Sequence, residues 1–320
     1  MEHFSNISTH VHEQLSHVIV GQRDVVDQLL LVLVCGGHAI VEGVPGLAKT
    51  LAVKALARAC GLRFKRIQCT PDLMPADITG TNVFSLADNA FHFHPGPVFT
   101  DILLVDEINR TPPRTQAALL EAMEERQVTL DGVCHPLPEN FTVLATQNPI
   151  EFEGTYPLPE AQLDRFLLKI RIGYPTEPEE IEIVSRYGQG FDPRNLDAID
   201  LTACDCALLP AARREIAGVK VEPSLFAYLV ALIRRTRDWP ALSLGASPRA
   251  AVGLLFAARA IAAMDGRDYL LPDDIKAAAL PVLRHRILLK PEADLEGLSA
   301  DLIVQQVLAS VELPRPVTQP

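Results

Sequence analysis

Long apolar runs are missing from this chain. No stretch approaches the roughly 18 apolar residues that cross a bilayer, and the strongest, Leu29 to Cys35, is far too short, which speaks against membrane insertion. The N-terminus, MEHFSNISTHVHEQ, has neither the basic start nor the apolar segment of a signal peptide, so a cytoplasmic location is expected. Cysteine is sparse and scattered: of six in 320 residues, only Cys204 and Cys206 stand close, with no second pair to complete a metal site. Free, reduced thiols are therefore expected. Basic charge is also short where it would matter for polyanions. Residues 1–200 hold 15 Lys+Arg against 27 Asp+Glu, a net of −12, whereas residues 201–320 hold 14 against 13, a net of +1. An acidic first two-thirds argues against broad nucleic-acid or anionic-membrane binding, both of which need basic patches.

What is present is the composition of a globular protein, 48% apolar and 22% charged, in a chain long enough for about two domains. Five apolar runs, His38–Val41, Phe64–Cys69, Ile102–Val105, Phe141–Ala145 and Leu167–Ile172, alternate with helical patterns. Near-continuous apolar strands are those covered on both faces, which predicts a parallel sheet flanked by helices. Helices are predicted over Thr50–Cys60 and, opened by Pro112 and Pro113, over Arg114–Arg126. Thr81–His94 and Gln127–Pro138 read instead as inserted β-hairpins, the second turning at Asp131-Gly132.

After Tyr174-Pro-Thr-Glu-Pro178 the character changes. Helical spacing covers Glu179–Tyr187, then Pro223–Arg237, Pro248–Met264, Pro272–Arg286 and Ser299–Val311, several opening on proline, with no convincing buried strand among them. The expectation is an α/β core over 1–190, an all-α domain over 191–313 and a loose tail over 314–320.

The chemistry begins at Gly43–Thr50, GVPGLAKT, directly after the first apolar run. A strand feeding a glycine turn that opens onto lysine and a hydroxyl is a phosphate-binding loop: backbone N–H groups turn toward phosphate oxygens, Lys49 reaches the β/γ-phosphates, and Thr50 offers its hydroxyl to Mg²⁺. Ala48 stands where the general pattern has glycine, which requires a negative φ there. The nucleotide set is then Gly43, Val44, Pro45, Gly46, Leu47, Ala48, Lys49, Thr50 and the adjoining Leu51.

Ile102-Leu-Leu-Val-Asp106-Glu107 supplies what such a loop needs, a buried strand ending in two carboxylates. Asp106 suits Mg²⁺ held through water and Glu107 the polarising of an attacking water. Phe141–Asn148 ends in Thr146-Gln147-Asn148-Pro149, where the Asn148 amide can report on the γ-phosphate. Arg165, in Asp164-Arg165-Phe166, can project from a subunit edge as an arginine finger; a surface pairing of Asp164 with Arg165 is the alternative. Ser247-Pro248-Arg249 opens a helix of the second domain, where Arg249 can connect that domain to nucleotide state. His92 and His94 share one face of a strand but lack a third metal ligand.

The ordered set Val20-Gly21-Gln22, GVPGLAKT, LLVDEINR, ATQNP, LDRF and SPRA resembles the AAA+ ATPases and, within them, the MoxR family, over about residues 10–310. That family commonly carries alanine at the position of Ala48. The resemblance implies an AAA+ core with inserted hairpins and a helical lid, ATP and Mg²⁺ as ligands, and Val20, Gly21 and Gln22 near the adenine. It makes Asn148 the first sensor, Arg165 the finger and Arg249 the second sensor. It also implies a homo-hexameric ring acting as a chaperone-like factor on a von Willebrand factor A domain protein or a metalloenzyme. Three other readings share part of the pattern: a nucleic-acid motor, the ATPase subunit of a magnesium-chelatase-like complex, and a nucleotide-gated scaffold that hydrolyses slowly.

Overall fold

The computed structural model describes residues 2–148, 154–193, 195–196, 199 and 201–313. Pro149 of the Asn148-Pro149 turn and the tail 314–320 lie outside them. The chain divides into two compact units, one of Ile7–Phe166 and Ile170–Cys206, the other of Met1–Asn6, Leu167–Lys169 and Ala207–Pro320.

Two helices precede the first strand, α1 (Glu2–Ser16) and α2 (Arg23–Val34). The apolar run Leu29–Cys35 is the C-terminal half of α2, buried from Leu29 through Val34. There follow β1 (Ala39–Glu42), α3 (Lys49–Ala59), β2 (Phe64–Gln68), α4 (Pro75–Thr79), β3 (Gly80–Ser85), β4 (Ala90–Pro95) and β5 (Ile102–Asp106). A short 3-10 turn, Ile108–Arg110, leads to α5 (Pro113–Glu125), β6 (Gln127–Leu130), β7 (Val133–Pro136) and β8 (Thr142–Gln147). The unit closes with α6 (Glu160–Leu163), β9 (Leu168–Arg171), whose first residues group with the other unit, and α7 (Glu177–Gly188).

Both expected hairpins form. β3 pairs antiparallel with β4 from Gly80↔Pro95 to Ser85↔Ala90, and β6 with β7 from Gln127↔Pro136 to Leu130↔Val133. In the second, Asp131 and Gly132 stand at φ 50° and 81°, the positive pair a tight hairpin needs.

The main sheet runs β2-β5-β8-β1-β9. β2 with β5, β5 with β8 and β8 with β1 are parallel, in registers that set Gln68 beside Asp106, Val105 beside Ala145, and Glu42 beside Gln147. The C-terminal ends of three central strands therefore finish at one level, the edge of an open α/β sheet where ligands bind. The apolar core is built on those strands: Ile102–Val105 are fully buried, as are Val143 and Ala145, and Phe141 and Phe166 pack into the same cluster. Full burial of each large apolar side chain contributes about 1.5–3 kcal/mol. β2 departs from the expectation of burial on both faces. It is an edge strand in which Ile67 is buried while Lys65, Arg66 and Gln68 are exposed.

The second unit holds α8 (Leu208–Ala217), α9 (Pro223–Arg237), β10 (Leu242–Leu244), α10 (Pro248–Met264), α11 (Pro272–Leu283), β11 (Leu288–Leu289), α12 (Pro291–Leu295) and α13 (Ala300–Ser310). It is helical as expected, with one addition, the two-stranded antiparallel pair β10–β11. Strands of two and three residues carry too little periodicity to register in a sequence. Ser247 caps α10 by accepting the Ala250 N–H at 3.2 Å. Buried Asp274 accepts two bonds from Arg267 guanidinium nitrogens, at 2.7 and 2.6 Å, and one from the Leu271 N–H at 2.8 Å.

The unit boundary falls later than the composition change at 190/191. The Thr202 N–H donates to Gln14 Oε1 and the Cys204 N–H to the Ala59 carbonyl, both at 2.8 Å, which ties the linker to the sheet-bearing unit. Leu167–Lys169 go the other way because Arg286 donates to the Leu167 carbonyl at 2.9 Å and Arg284 to the Lys169 carbonyl at 3.3 Å. Among the described residues, no helix is long and apolar enough to cross a membrane.

Candidate active site

A cavity of about 410 Å³ opens at the level where β5 and β8 end. Its lining brings together Pro45–Leu51 of the loop, Asp106 and Glu107 after β5, Thr146 and Asn148 after β8, Arg66 and Gln68 of β2, and Tyr187 and Pro193. Residues scattered over about 150 positions converge because parallel strands all deliver their ends to one side.

The loop is shaped by backbone geometry. Gly46 has φ 87°, a region that costs glycine nothing. Ala48 has φ 56° and ψ 22°, so the negative φ required on sequence grounds is not what the chain adopts. Ala48 caps α3, and its left-handed turn lets the helix begin at Lys49. An L-residue there costs about 1–2 kcal/mol, and alanine has the smallest side chain that can bear it. Glu107 (φ 60°) and Gln22 (φ 53°) share the conformation. Three such residues on loops of one site match the tendency of strained backbone to collect where function requires a fixed geometry.

The Lys49 ammonium donates to the Gly43 carbonyl, closing the loop on itself. Gly43 is held close to the sheet, since a Cβ there would lie 3.0 Å from the Ile172 carbonyl oxygen. Gly43 and Val44 support the loop from behind and do not line the cavity. Val20 and Gln22 line a second, more apolar recess of about 110 Å³, with Ile19, Leu51, Ile183, Tyr187 and Phe191. Gly46, Leu47, Ala48, Leu51 and Tyr187 border both spaces. Tyr187 and Phe191 stand edge-to-face, with centroids 5.6 Å apart. Gly21 lines a neighbouring cavity, with His12 and Arg186.

The carboxylates are held in a polar network. Asp106, almost fully buried, accepts from Arg66 Nε at 2.5 Å and from Thr146 Oγ1 at 3.1 Å. The Glu107 N–H donates to the same Thr146 oxygen at 2.9 Å, so one hydroxyl fixes the carboxylate of one acid and the backbone of the next. The Glu107 carboxylate accepts from Gln68 Nε2 at 3.2 Å and lies 3.0 Å from Arg110 Nε. Sequence reasoning missed Arg66, Gln68 and Thr146 as site residues. Their one available signal is the period-two spacing of Arg66 and Gln68, which puts both on one face of β2. Next to the pair, burial pushes the Cys69 thiol up to about 11, which favours its protonated form.

The remaining sequence-predicted residues fall as follows. Asn148 is buried at the cavity wall. Arg165 does not line the cavity; its Nε pairs with Glu124 Oε2 at 2.5 Å, and both side chains are about one-third exposed (32% and 33%). Arg249 stands in the other unit, in the first turn of α10. His92 bonds Asp88 at 2.9 Å, and among the described residues no group of three or more His, Cys, Asp or Glu could hold a metal.

These residues suit a magnesium nucleoside triphosphate. Backbone N–H groups and Lys49 are anion donors, whereas the Thr50 hydroxyl and Asp106 are hard oxygen ligands of the kind Mg²⁺ takes. The volume falls in the range of small-ligand sites.

Comparison with known proteins agrees. The family model described as "ATPase family associated with various cellular activities (AAA)" matches residues 38–168, and one described as an AAA lid domain matches residues 234–307. The Bacillus subtilis protein YeaC is 45% identical, with 94% of this chain and 93% of that protein covered. Chaperone MoxR1 of Mycobacterium tuberculosis is 44% identical, with 94% and 81% covered. The crystal structure of a Cytophaga hutchinsonii protein assigned as an ATPase superposes with a TM-score of 0.89 at 40% identity, covering 98% of this chain and 96% of that one. With the phosphate loop, paired carboxylates and lid all in place, the chain belongs to the MoxR family of AAA+ ATPases.

Proposed function

We propose that this protein hydrolyses ATP and uses the energy to remodel or activate a partner protein. The observation that carries the reading is the convergence, on one cavity, of Lys49 and Thr50, of Asp106 and Glu107, and of Asn148. The loop N–H groups and Lys49 bind the triphosphate, the lysine exchanging the Gly43 carbonyl for phosphate oxygens. The apolar recess bordered by Val20, Leu51, Tyr187 and Phe191 takes the base. Thr50 and Asp106 hold Mg²⁺, which when bound neutralises developing charge on the phosphate oxygens. Glu107 takes a proton from the attacking water, and the Asn148 amide orients that water against the γ-phosphate.

Arg165 completes the site of an adjacent subunit in a hexameric ring. Its pairing with Glu124 is a small obstacle, because an ion pair about one-third exposed is worth about 0–1 kcal/mol. A guanidinium on the transferring phosphoryl group is worth about 10³–10⁵ in rate. Arg249 in α10 couples the lid to nucleotide state. The relative named Chaperone MoxR1 supports a chaperone-like role, and the client class is a von Willebrand factor A domain protein or a metalloenzyme.

Phosphate release tests the assignment. Glu107→Gln should lose hydrolysis by about 10²–10⁴-fold while still binding ATP, and Arg165→Ala should lose it only in the assembled ring. Near-normal turnover in Glu107→Gln would remove the general-base role.

A further inference from the structure

Away from the nucleotide site, three of the six cysteines gather at one place in the same unit. Cys60, fully buried, is the C-terminal capping residue of α3, the helix that the phosphate loop opens. Cys204 is half-buried and Cys206 exposed, on the segment that leads out of the unit. That segment is seated directly on the end of α3, where the Cys204 N–H donates to the Ala59 carbonyl at 2.8 Å. Gly61 permits the approach: its φ is +64°, and a Cβ there would stand 3.1 Å from the Cys204 carbonyl oxygen. That seating brings the Cys204 side chain beside that of Cys60, near enough for the two thiols to perturb each other.

The two thiols are shifted in opposite directions. The contact with Cys204 and then burial raise the Cys60 thiol, whereas the contact with Cys60 lowers Cys204 against the opposing effect of its own burial. Cys204 is the one of the two that a solute can reach, Cys60 being fully buried, and its thiol is the one lowered, which makes it the nucleophile of the pair. Two other thiols give internal comparisons: Cys134 is exposed, with the Thr129 hydroxyl at 3.6 Å, and Cys69 is buried, its thiol pushed up to about 11.

We propose that Cys204 and Cys60 form a peroxide-responsive pair that closes to a disulfide between the 203–206 segment and the end of α3. The Cys204 thiolate attacks one oxygen of a peroxide, the O–O bond breaks, and sulfenic acid forms with loss of hydroxide. Cys60 then attacks the sulfenic sulfur; its proton leaves with the departing hydroxide as water, and the S–S bond forms. Two thiols are oxidised by two electrons and one peroxide is reduced to two waters. The two sulfurs then stand at the roughly 2.05 Å of a disulfide bond. Transient, sensing disulfides of this kind are the ones found in reducing compartments. The link would bind the segment just before Ala207, where the second unit begins, to the helix that starts with Lys49 and Thr50.

The test uses reduced full-length protein treated with increasing hydrogen peroxide, differential thiol alkylation and peptide mass spectrometry. Cys204 should oxidise about tenfold faster than Cys134, and an intramolecular Cys60–Cys204 link that dithiothreitol reverses should follow. The Cys206→Ser variant should keep that link. In Cys60→Ser/Cys206→Ser, oxidation should stop at a sulfenic acid on Cys204 that dimedone traps. A Cys204–Cys206 bridge in place of the link, no link in Cys206→Ser, or Cys134 oxidising as fast as Cys204 would each overturn the proposal. The wild-type and Cys206→Ser measurements stand even if loss of Cys60 impairs folding. The readout is thiol chemistry, so it is independent of whether the protein hydrolyses ATP.

Discussion

Strands β5 and β2 lie side by side in one parallel sheet and reach the same level, yet they meet different demands. β5 is apolar to its last residue and buried throughout, so its polar end, Asp106, is an exception that stands out against four buried neighbours. β2, at the edge, is largely exposed: Ile67 is buried, but Lys65, Arg66 and Gln68 are not. Arg66 and Gln68 reach across to Asp106 and Glu107. A central strand advertises its functional end through contrast. An edge strand hides its contribution among the polar residues that any edge carries.

The comparison is sharpest in packing. Leu104→Ala in β5 should cost about 2–5 kcal/mol, because the surrounding core closes only partly over the lost volume. Lys65→Ala in β2 should stay within about 0.5 kcal/mol. Urea unfolding of both variants measures the difference, and similar losses would mean that the edge strand is part of the same cooperative core.

The next effect concerns how the central strands are seated. His38 precedes β1, fully buried, with Nδ1 accepting the Val143 N–H at 2.9 Å and Nε2 at 3.3 Å from the Met123 carbonyl. Burial, aided by the Arg126 charge, lowers its pKa to about 4 from the usual 6.5. Between those values the unfolded chain binds the extra proton, so stability is intact above about pH 6.5 and falls as the pH drops to 4, by up to about 3 kcal/mol. Thermal denaturation of wild type and His38→Asn across that window should show the gap between them shrinking toward acid. A constant gap would rule out the titration of His38 as its cause.

The smallest effect tests the edge strand's reach into the site. Arg66 is half-exposed, so its bond to Asp106 is worth about 0–1 kcal/mol despite the 2.5 Å distance. Arg66→Ala should lower the Mg²⁺ concentration for half-maximal ATPase by less than about fivefold, by releasing the carboxylate from a competing cation. A rise in that concentration would instead make Arg66 a positioning residue for the metal site.

The core fold was legible because each buried strand is a short β-branched run and each hairpin or helix start carries its own turn chemistry, as Asp131-Gly132 and Ser247-Pro248 do. Most of the site was legible for a related reason. Asp106, Glu107 and Asn148 end or follow strands, Lys49 and Thr50 open the helix reached from β1, and the parallel topology sends all of them to one cavity. The network partners Arg66, Gln68 and Thr146 escaped because their roles depend on cross-strand register. The helices α1 and α2 carried no striking local punctuation: Gln22 precedes α2 in a left-handed turn without a side-chain cap.

The sequence by itself determined the alternation of strand and helix, the order of the motifs and the residue types of the glycine loop and the carboxylate pair, since periodicity, turn chemistry and loop composition are local properties. Only the tertiary structure decided the backbone sign at Ala48, the partner of Arg165, the allegiance of residues 201–206 and the seating of Cys204 on the end of α3. Each of these depends on a neighbour far away in the chain, and such neighbours are chosen when the whole core packs, at a free energy that no local segment contains.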